Sequence, residues 1–244
     1  MIQLNYLLID FIIIIFPLIF SFKWKFKYSK FFKPLAASIL IVGIIYILWD
    51  IIVTYRGDWS FNEEFLTGIY FPTKDIGLPI EEILFFIVVP FACIFIYENL
   101  VYFNKDKKIP FNKYFYFAIS TIFIILGIIF RNQDYTILSM FSCGLFFILA
   151  PTLLPDMLQS RNYLLYIVLS FIPFMIFNYL LTSLIVVSYN PAAIWGGHGA
   201  WNGRFFTIPL EDFFYNFAML SFYLMLYLYF KRKWVSSQNI KKDS

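Results

Sequence analysis

Seven runs of apolar residues constrain this chain more than any other feature. They lie at about 4–22, 35–55, 79–100, 113–130, 136–155, 163–188 and 209–230, and roughly 20 residues of helix are what the hydrocarbon core of a bilayer requires. Within that core each backbone polar group must find its partner inside the segment, so runs of this length fold as helices. The expected fold is all-α and integral to the membrane, with seven transmembrane helices. Composition agrees: 61% of the 244 residues are apolar and 14% are charged, a balance typical of polytopic membrane proteins. The first run is expected to be a retained helix rather than a signal peptide, because its positive residues follow it and Asp10 sits within it.

Lysine and arginine placement gives a direction. Fifteen of the 19 fall on one side: Lys23, Lys25, Lys27, Lys30 and Lys33 after the first run, Lys105, Lys107, Lys108 and Lys113 after the third, Arg161 after the fifth, and Lys231, Arg232, Lys233, Lys241 and Lys242 after the seventh. Only Arg56, Lys74, Arg131 and Arg204 fall on the other. The N-terminus is therefore expected outside and the C-terminus in the cytoplasm, in a multi-pass protein of the cell membrane. The net charge of +4 is no nucleic-acid signal, since these clusters flank the apolar runs. Cys93 and Cys143 both lie inside apolar runs and read as small buried hydrophobes. With a single histidine and two cysteines, no His/Cys metal cluster is expected.

Charges at the head of a membrane helix are costly, yet the chain places them there twice. LPIEEILFF, Leu78 to Phe86, and IPLEDFFYN, Ile208 to Asn216, each put adjacent carboxylates two residues after a proline. Proline suits the first helical position, and the helix dipole favours carboxylates in the first turn, so ordinary helix chemistry accounts for part of the pattern. More than the acids recurs, however. Asp50 in WDIIVT aligns with Asn178 in NYLLT, Thr54 with Thr182 and Pro17 with Pro151, and the two loops GDWSFNEEF and GHGAWNGRF both carry Trp and Asn. Spans one to three thus resemble spans five to seven, and the fourth span restores the direction that an odd number of helices would invert. The reading is two parallel three-helix repeats joined by a linking helix: a first repeat at 1–103, a linking span at 104–134, a second repeat at 135–230 and a tail at 231–244. A shared site is then expected between the halves.

Asp10, Asp50, Glu81, Glu82, Glu211 and Asp212 all fall in the outer half of the expected bilayer, and ionisable residues there mark function. Glu98 is the exception and is expected to reach the headgroups at the inner end. A carboxyl in an apolar site resists ionisation and remains a proton donor, while adjacent carboxylates repel and hold one of the two protonated. Aromatics make up 23% of the chain, and their faces stabilise cations. These parts suit protonation of an alkene, a carbocation held by aromatic rings, and return of the proton to a carboxylate, on a polyene or isoprenoid dissolved in the bilayer.

The paired PIEE (Pro79 to Glu82) and PLED (Pro209 to Asp212) motifs, with DWSFN (Asp58 to Asn62) and Trp49–Asp50, resemble the membrane-integral carotenoid cyclases known as heterodimeric-type lycopene cyclases. In that family the halves are separate small proteins or one fused chain, and this chain resembles the fused form. The resemblance implies a lycopene β-cyclase of carotenoid biosynthesis, an isomerase acting by intramolecular addition, which closes the linear ψ-ends of lycopene to β-rings and gives γ- and β-carotene. It implies no flavin or other cofactor, lycopene from the membrane lipid as the partner, contacts with other carotenoid-pathway enzymes, and Glu81, Glu82, Glu211 and Asp212 as acid and base. Separately, no G-x-G-x-x-G occurs.

Asp50 and Asn178 are candidates to orient the acids, or simply to tie helices together. Arg204 is a candidate partner for the second acidic turn or an interface anchor, and Trp59, Trp195 and Trp201 are candidate belt residues. Asn62, Asn202, Trp59, Trp201 and Tyr215 complete the expected supporting set, Asn216 lies beside Tyr215, and His198 sits in a glycine-rich loop expected to act as a lid or headgroup contact. The rival readings are a membrane prenyltransferase or other isoprenoid-modifying enzyme, and a small-solute or proton transporter. The first lacks an N-D-x-x-D pattern and the second lacks charges through the inner half. A retinal protein is excluded by the absence of lysine between 209 and 230.

Overall fold

A computed structural model describes residues 6–23 and 25–240. The opening positions of the first expected span, and Lys241 and Lys242 of the expected tail, lie outside the described residues.

The chain is all-α in its body. Helix α1 (Tyr6–Lys23) leads through a 3-10 turn (Tyr28–Phe31) into α2 (Phe32–Arg56). Gly57 ends α2 in the left-handed region, φ 79°, where its N–H caps the carbonyls of Val53 and Thr54. Strand β1 (Trp59–Phe61), a 3-10 turn (Glu63–Phe65) and the hairpin of β2 (Tyr70–Phe71) and β3 (Leu78–Pro79) lead into α3 (Ile80–Phe103). Helix α4 (Lys113–Ile129) starts on an Asn112 side chain that accepts from the Tyr114 N–H. Then come α5 (Asp134–Leu153), the short α6 (Pro155–Leu158), α7 (Arg161–Ser183), β4 (Val187–Tyr189), the hairpin of β5 (Arg204–Phe205) and β6 (Ile208–Pro209), and α8 (Leu210–Ile240).

Six of these helices, α1, α2, α3, α5, α7 and α8, are long and apolar enough to cross a membrane, and α4 is apolar over 17 residues, about the lower limit for a span. The tail expected from 231 is helical as far as Ile240. Pro79 and Pro209 were expected as first helical residues. Both instead end short strands, Pro79 in extended backbone with ψ 146°, and the helices start one residue later.

Helices pack in two corresponding sets: α1 lies on α3 and α5 on α8, while α2 crosses to α8 and α7 crosses to α3. Helix α4 lies against α5. The largest core cluster runs through α2, α3, α5 and α8 around Tyr46, Phe86, Phe146 and Tyr223. A second cluster, with Tyr6, Trp59, Tyr135 and Val187, closes one end of the bundle. There β1 pairs antiparallel with β4, Trp59 opposite Tyr189, and joins the loop after α2 to the loop after α7. The two hairpins correspond as well: Tyr70 pairs with Pro79 ahead of α3, and Arg204 with Pro209 ahead of α8.

Glu98 does not reach the headgroups. It is buried, accepting from the Tyr227 hydroxyl at 2.8 Å and from Lys231 Nζ at 2.6 Å. Lys231 lies on α8, whose extension past 230 brings the cation back to the carboxylate.

Candidate active site

The first turns of α3 and α8 and the last turns of α2 and α7 meet under the β1–β4 pair, and a cavity of about 630 Å³ opens among them. Glu82 and Asp212 line it; Glu81 and Glu211 do not. Consecutive helical residues point about 100° apart, so neighbours in sequence cannot share one face. The expectation that each adjacent pair supplies an acid and a base at one place is therefore corrected: each pair divides, and the cavity receives one member from each half.

Glu81 and Glu211 turn away from the cavity, stay buried and hold the loops. Glu81 Oε1 accepts the Thr67 N–H at 2.6 Å, and Glu211 Oε1 accepts the Trp195 N–H at 2.7 Å as well as the Thr136 hydroxyl. Each ties the loop that precedes its own helix onto the first turn of that helix.

Asp50 lines the cavity as well, and Glu82 and Asp212 have unlike surroundings. Asp212 accepts three hydrogen bonds, from the Tyr135 hydroxyl at 2.6 Å, from Asn178 Nδ2 at 2.8 Å and from the Tyr189 hydroxyl at 2.9 Å. Glu82 accepts one, from the Tyr6 hydroxyl at 2.8 Å, and has the Asp50 carboxyl as its neighbour on the cavity wall. Asp50 Oδ1 is held by Trp59 Nε1 at 2.9 Å and the Thr54 hydroxyl at 3.2 Å, while its Oδ2 finds no donor among the described residues. Tyr189 lies outside the membrane helices. Burial first, then the charge on Asp212, pushes its phenol well above the ordinary value, so it stays a donor.

Aromatic rings close the space between these acids. Trp59 meets Tyr135 edge-on at 4.9 Å, Tyr135 stacks on Tyr189 at 5.8 Å, and Tyr215 meets Tyr135 at 6.0 Å. Tyr215 and Asn216 line the cavity as expected, and Asn216 Nδ2 has no partner among the described residues.

Other expected residues lie away from the cavity. Asn62 caps the 3-10 turn at Glu63–Phe65. Trp201 is exposed and packs edge-on against Trp195 at 5.2 Å; Asn202 occupies a left-handed turn position, φ 57°. Arg204 donates to the Thr207 carbonyl at 2.8 Å and covers the Tyr189 ring at 5.6 Å from its centre, so it supports a wall of the site from behind. His198 is exposed in its loop. On the β1 side, Arg56 pairs with Asp134 and lies 3.6 Å from Asp58. Burial raises the Asp58 carboxyl above its ordinary range, against the pull of Arg56.

Tyr6, Tyr135 and Tyr189 were not singled out from sequence. A signal exists: Tyr6 lies 76 positions before Glu82, and Tyr135 lies 77 before Asp212. The proline match breaks that register, since Pro17 follows Tyr6 by 11 residues and Pro151 follows Tyr135 by 16.

A cavity with carboxyls at one end, lined by aromatic and aliphatic side chains and set among membrane-spanning helices, suits acid chemistry on an apolar substrate. Comparison with known families gives one match: the lycopene cyclase family model aligns with residues 3–100 and 132–230. Neither a curated protein nor a solved structure matches. The two matched segments carry the cavity carboxyls Glu82 and Asp212 and all of their hydrogen-bond partners, and together they cover most of the chain, which belongs to the lycopene cyclase family.

Proposed function

We propose that this chain is a lycopene β-cyclase in which Glu82 gives a proton to the substrate and Asp212 takes one back. The observation that carries the assignment is the unequal hydrogen bonding of the two carboxyls. Two carboxyls share a hydrogen bond only when one of them holds a proton; Glu82 and Asp50 lie side by side on the cavity wall, so one proton is held between them, and Glu82 is the member that hands it on. Asp212 meets three donors, the surroundings of a carboxylate.

The proton passes from Glu82 to the terminal trisubstituted alkene of a ψ-end and leaves a tertiary carbocation. The next alkene attacks it, a carbon–carbon bond closes a six-membered ring, and the positive charge moves to the adjoining tertiary carbon. Loss of a proton from the ring carbon that bears the chain, with Asp212 as acceptor, restores an alkene and gives the β-ring. One proton enters and one leaves, no electron is exchanged, and the product is an isomer. The faces of Trp59, Tyr135, Tyr189 and Tyr215 hold the cation in transit. Reaction at one end gives γ-carotene and at both ends β-carotene. Asp50 and Asn178 act as positioning residues, one for each acid.

The same reading takes the chain as two repeats flanking a linking helix, supported by the matched hairpins, the matched helix pairs and the matched clamps of Glu81 and Glu211. Lysine and arginine placement supports an outer N-terminus and a cytoplasmic C-terminus. Lycopene comes from the surrounding lipid, and the enzymes that make it are the expected neighbours.

The test is pigment analysis in bacteria that accumulate lycopene. The unaltered chain turns them yellow. Glu82→Gln and Asp212→Asn each leave them red, with conversion down at least ~100-fold, the usual contribution of a placed acid or base. Full conversion by Glu82→Gln would remove the proton-donor assignment. Red cells with the unaltered protein present in the membrane would remove the cyclase reading altogether.

A further inference from the structure

The two halves correspond closely at the carboxyls and then diverge below them. The cavity does not stop at Glu82 and Asp212. It continues down the length of α3, past Phe85, Val89, Ala92 and Ile96 as far as Asn104, with α1 and α7 as its other walls. At 1.5 Å per residue, the rise from Glu82 to Asn104 is about 33 Å, close to the thickness of a hydrocarbon core. Side chains along its flank, Phe16 at 57% and Phe103 at 60% exposure, open it sideways to lipid.

The corresponding face on α8 is shut. Counted from the cavity carboxyl of each helix, Ala92 and Cys93 on α3 stand where Phe222 and Tyr223 stand on α8. Phe222 packs edge-on against Phe146 at 5.6 Å. Tyr223 crosses to donate to the Phe86 carbonyl at 2.9 Å and is fully buried. Tyr46 and Ser142 bond across α2 and α5 at 2.9 Å, sealing the same face higher up. Two small residues on one helix, against two large ones on its counterpart, leave one groove where two would otherwise exist.

We propose that the enzyme takes its polyene lengthwise and one end at a time: the reacting end lies between Glu82 and Asp212, and the rest of the chain lies in the α1–α3–α7 groove over Ala92 and Cys93. This rests on the cyclase reading above. An elongated, methyl-branched polyene is the occupant that the shape selects, because the groove is apolar and bilayer-long and has carboxyls at one end only. The second end cannot reach an acid while the first is bound. A product with one ring must leave, reverse in the lipid and return before it can gain a second, so Ala92 and Cys93 determine which chain lengths are accepted.

Two measurements on the full-length protein in membranes test this. In a time course with labelled lycopene and added unlabelled one-ringed product, the label in any two-ringed product is diluted by the added pool, or the product stops at one ring. Two-ringed product appearing undiluted from the first turnovers would overturn the proposal. The variant Ala92→Phe imports the residue of the closed face. Its conversion of lycopene is expected to fall at least tenfold. An acyclic analogue with the same end and half the chain is expected to cyclise at the unaltered rate, which also shows that the variant is folded. Equal conversion of both by Ala92→Phe would mean that the groove holds only a lipid acyl chain, and would overturn the proposal. Failure of the unaltered protein to make any ring is a different result, and removes the cyclase reading itself.

Discussion

Glu81 and Glu82 are chemically alike and adjacent, yet one step of the helix gives them opposite surroundings. Glu81 meets a backbone N–H and clamps a loop; Glu82 meets a phenol, a second carboxyl and the cavity. Substitution should separate them. Glu82→Gln keeps the shape and removes the transferable proton, so turnover per folded molecule falls by ~100-fold or more. Glu81→Gln keeps an oxygen for the Thr67 N–H and retains most activity. Glu81→Ala leaves that N–H without its acceptor, at a cost of about 1–3 kcal/mol in stability, and lowers the amount of folded protein rather than its rate. Pigment formed per mole of detergent-extracted, monodisperse protein distinguishes these outcomes. The acidic pairs themselves were legible in sequence, because carboxylates in an apolar run stand out. Which member of each pair faces the cavity was not, because helical phase is set by the neighbours that α3 and α8 pack on. Tyr6, Tyr135 and Tyr189 were hidden for another reason: among 18 tyrosines no local pattern marks the three that reach a carboxyl of the cavity.

Apart from α8, which runs ten residues past the expected end at 230, the helices were readable to within about five residues, since length and hydrophobicity alone specify a span. The short strands were not. Two- and three-residue strands carry no alternation, and β1 pairs with a segment far along the chain. These pieces nonetheless shape the site. Gly203 sits at φ 60°, and a Cβ there would lie 1.8 Å from the Trp195 carbonyl oxygen. Trp195 is also the residue whose N–H grips Glu211. Gly57 has a similar φ, 79°, but nothing within 4 Å of its would-be Cβ. Gly57→Ala should therefore cost only the left-handed penalty, about 1–2 kcal/mol. Gly203→Ala adds a backbone collision that displaces Trp195 and loosens the second acidic turn, so it should inactivate the enzyme sooner on heating. Residual cyclase activity after graded heating of membranes compares the two directly.

Across the whole molecule, the two halves exchange helices: α2 crosses to α8 and α7 crosses to α3. Neither half keeps its own second helix against its own third as its main contact, so each half needs the other to complete its packing. Cutting the chain in the 104–112 loop, ahead of the linking helix, should leave two fragments that are inactive alone. Expressed together they should recover cyclase activity, because the loop itself contributes no residue that bonds a cavity carboxyl. Co-purification through a tag on one fragment, with pigment as the second readout, checks this. Fragments that copurify without activity would assign the uncut loop a part in shaping the site. The recurrence of the acids in the two halves was visible in the sequence. Their exchange of helices was not, because the apolar faces of α2 and α7 look alike to any partner until packing chooses one.

The strand pair above the cavity also bears on how the protein is made. Trp59, which holds Asp50, must wait for Tyr189, which holds Asp212, to leave the ribosome before β1 and β4 can join. Until then Glu82 has its own half in place but no opposing carboxylate, and the end of the bundle stands open. A chain stalled before α8 can already pair β1 with β4, but it carries Glu82 and Asp50 with no Asp212 opposite them. Assembly of the site is thus also a check on completed insertion: a cavity holding both Glu82 and Asp212 exists only in a molecule whose last helix is already in place.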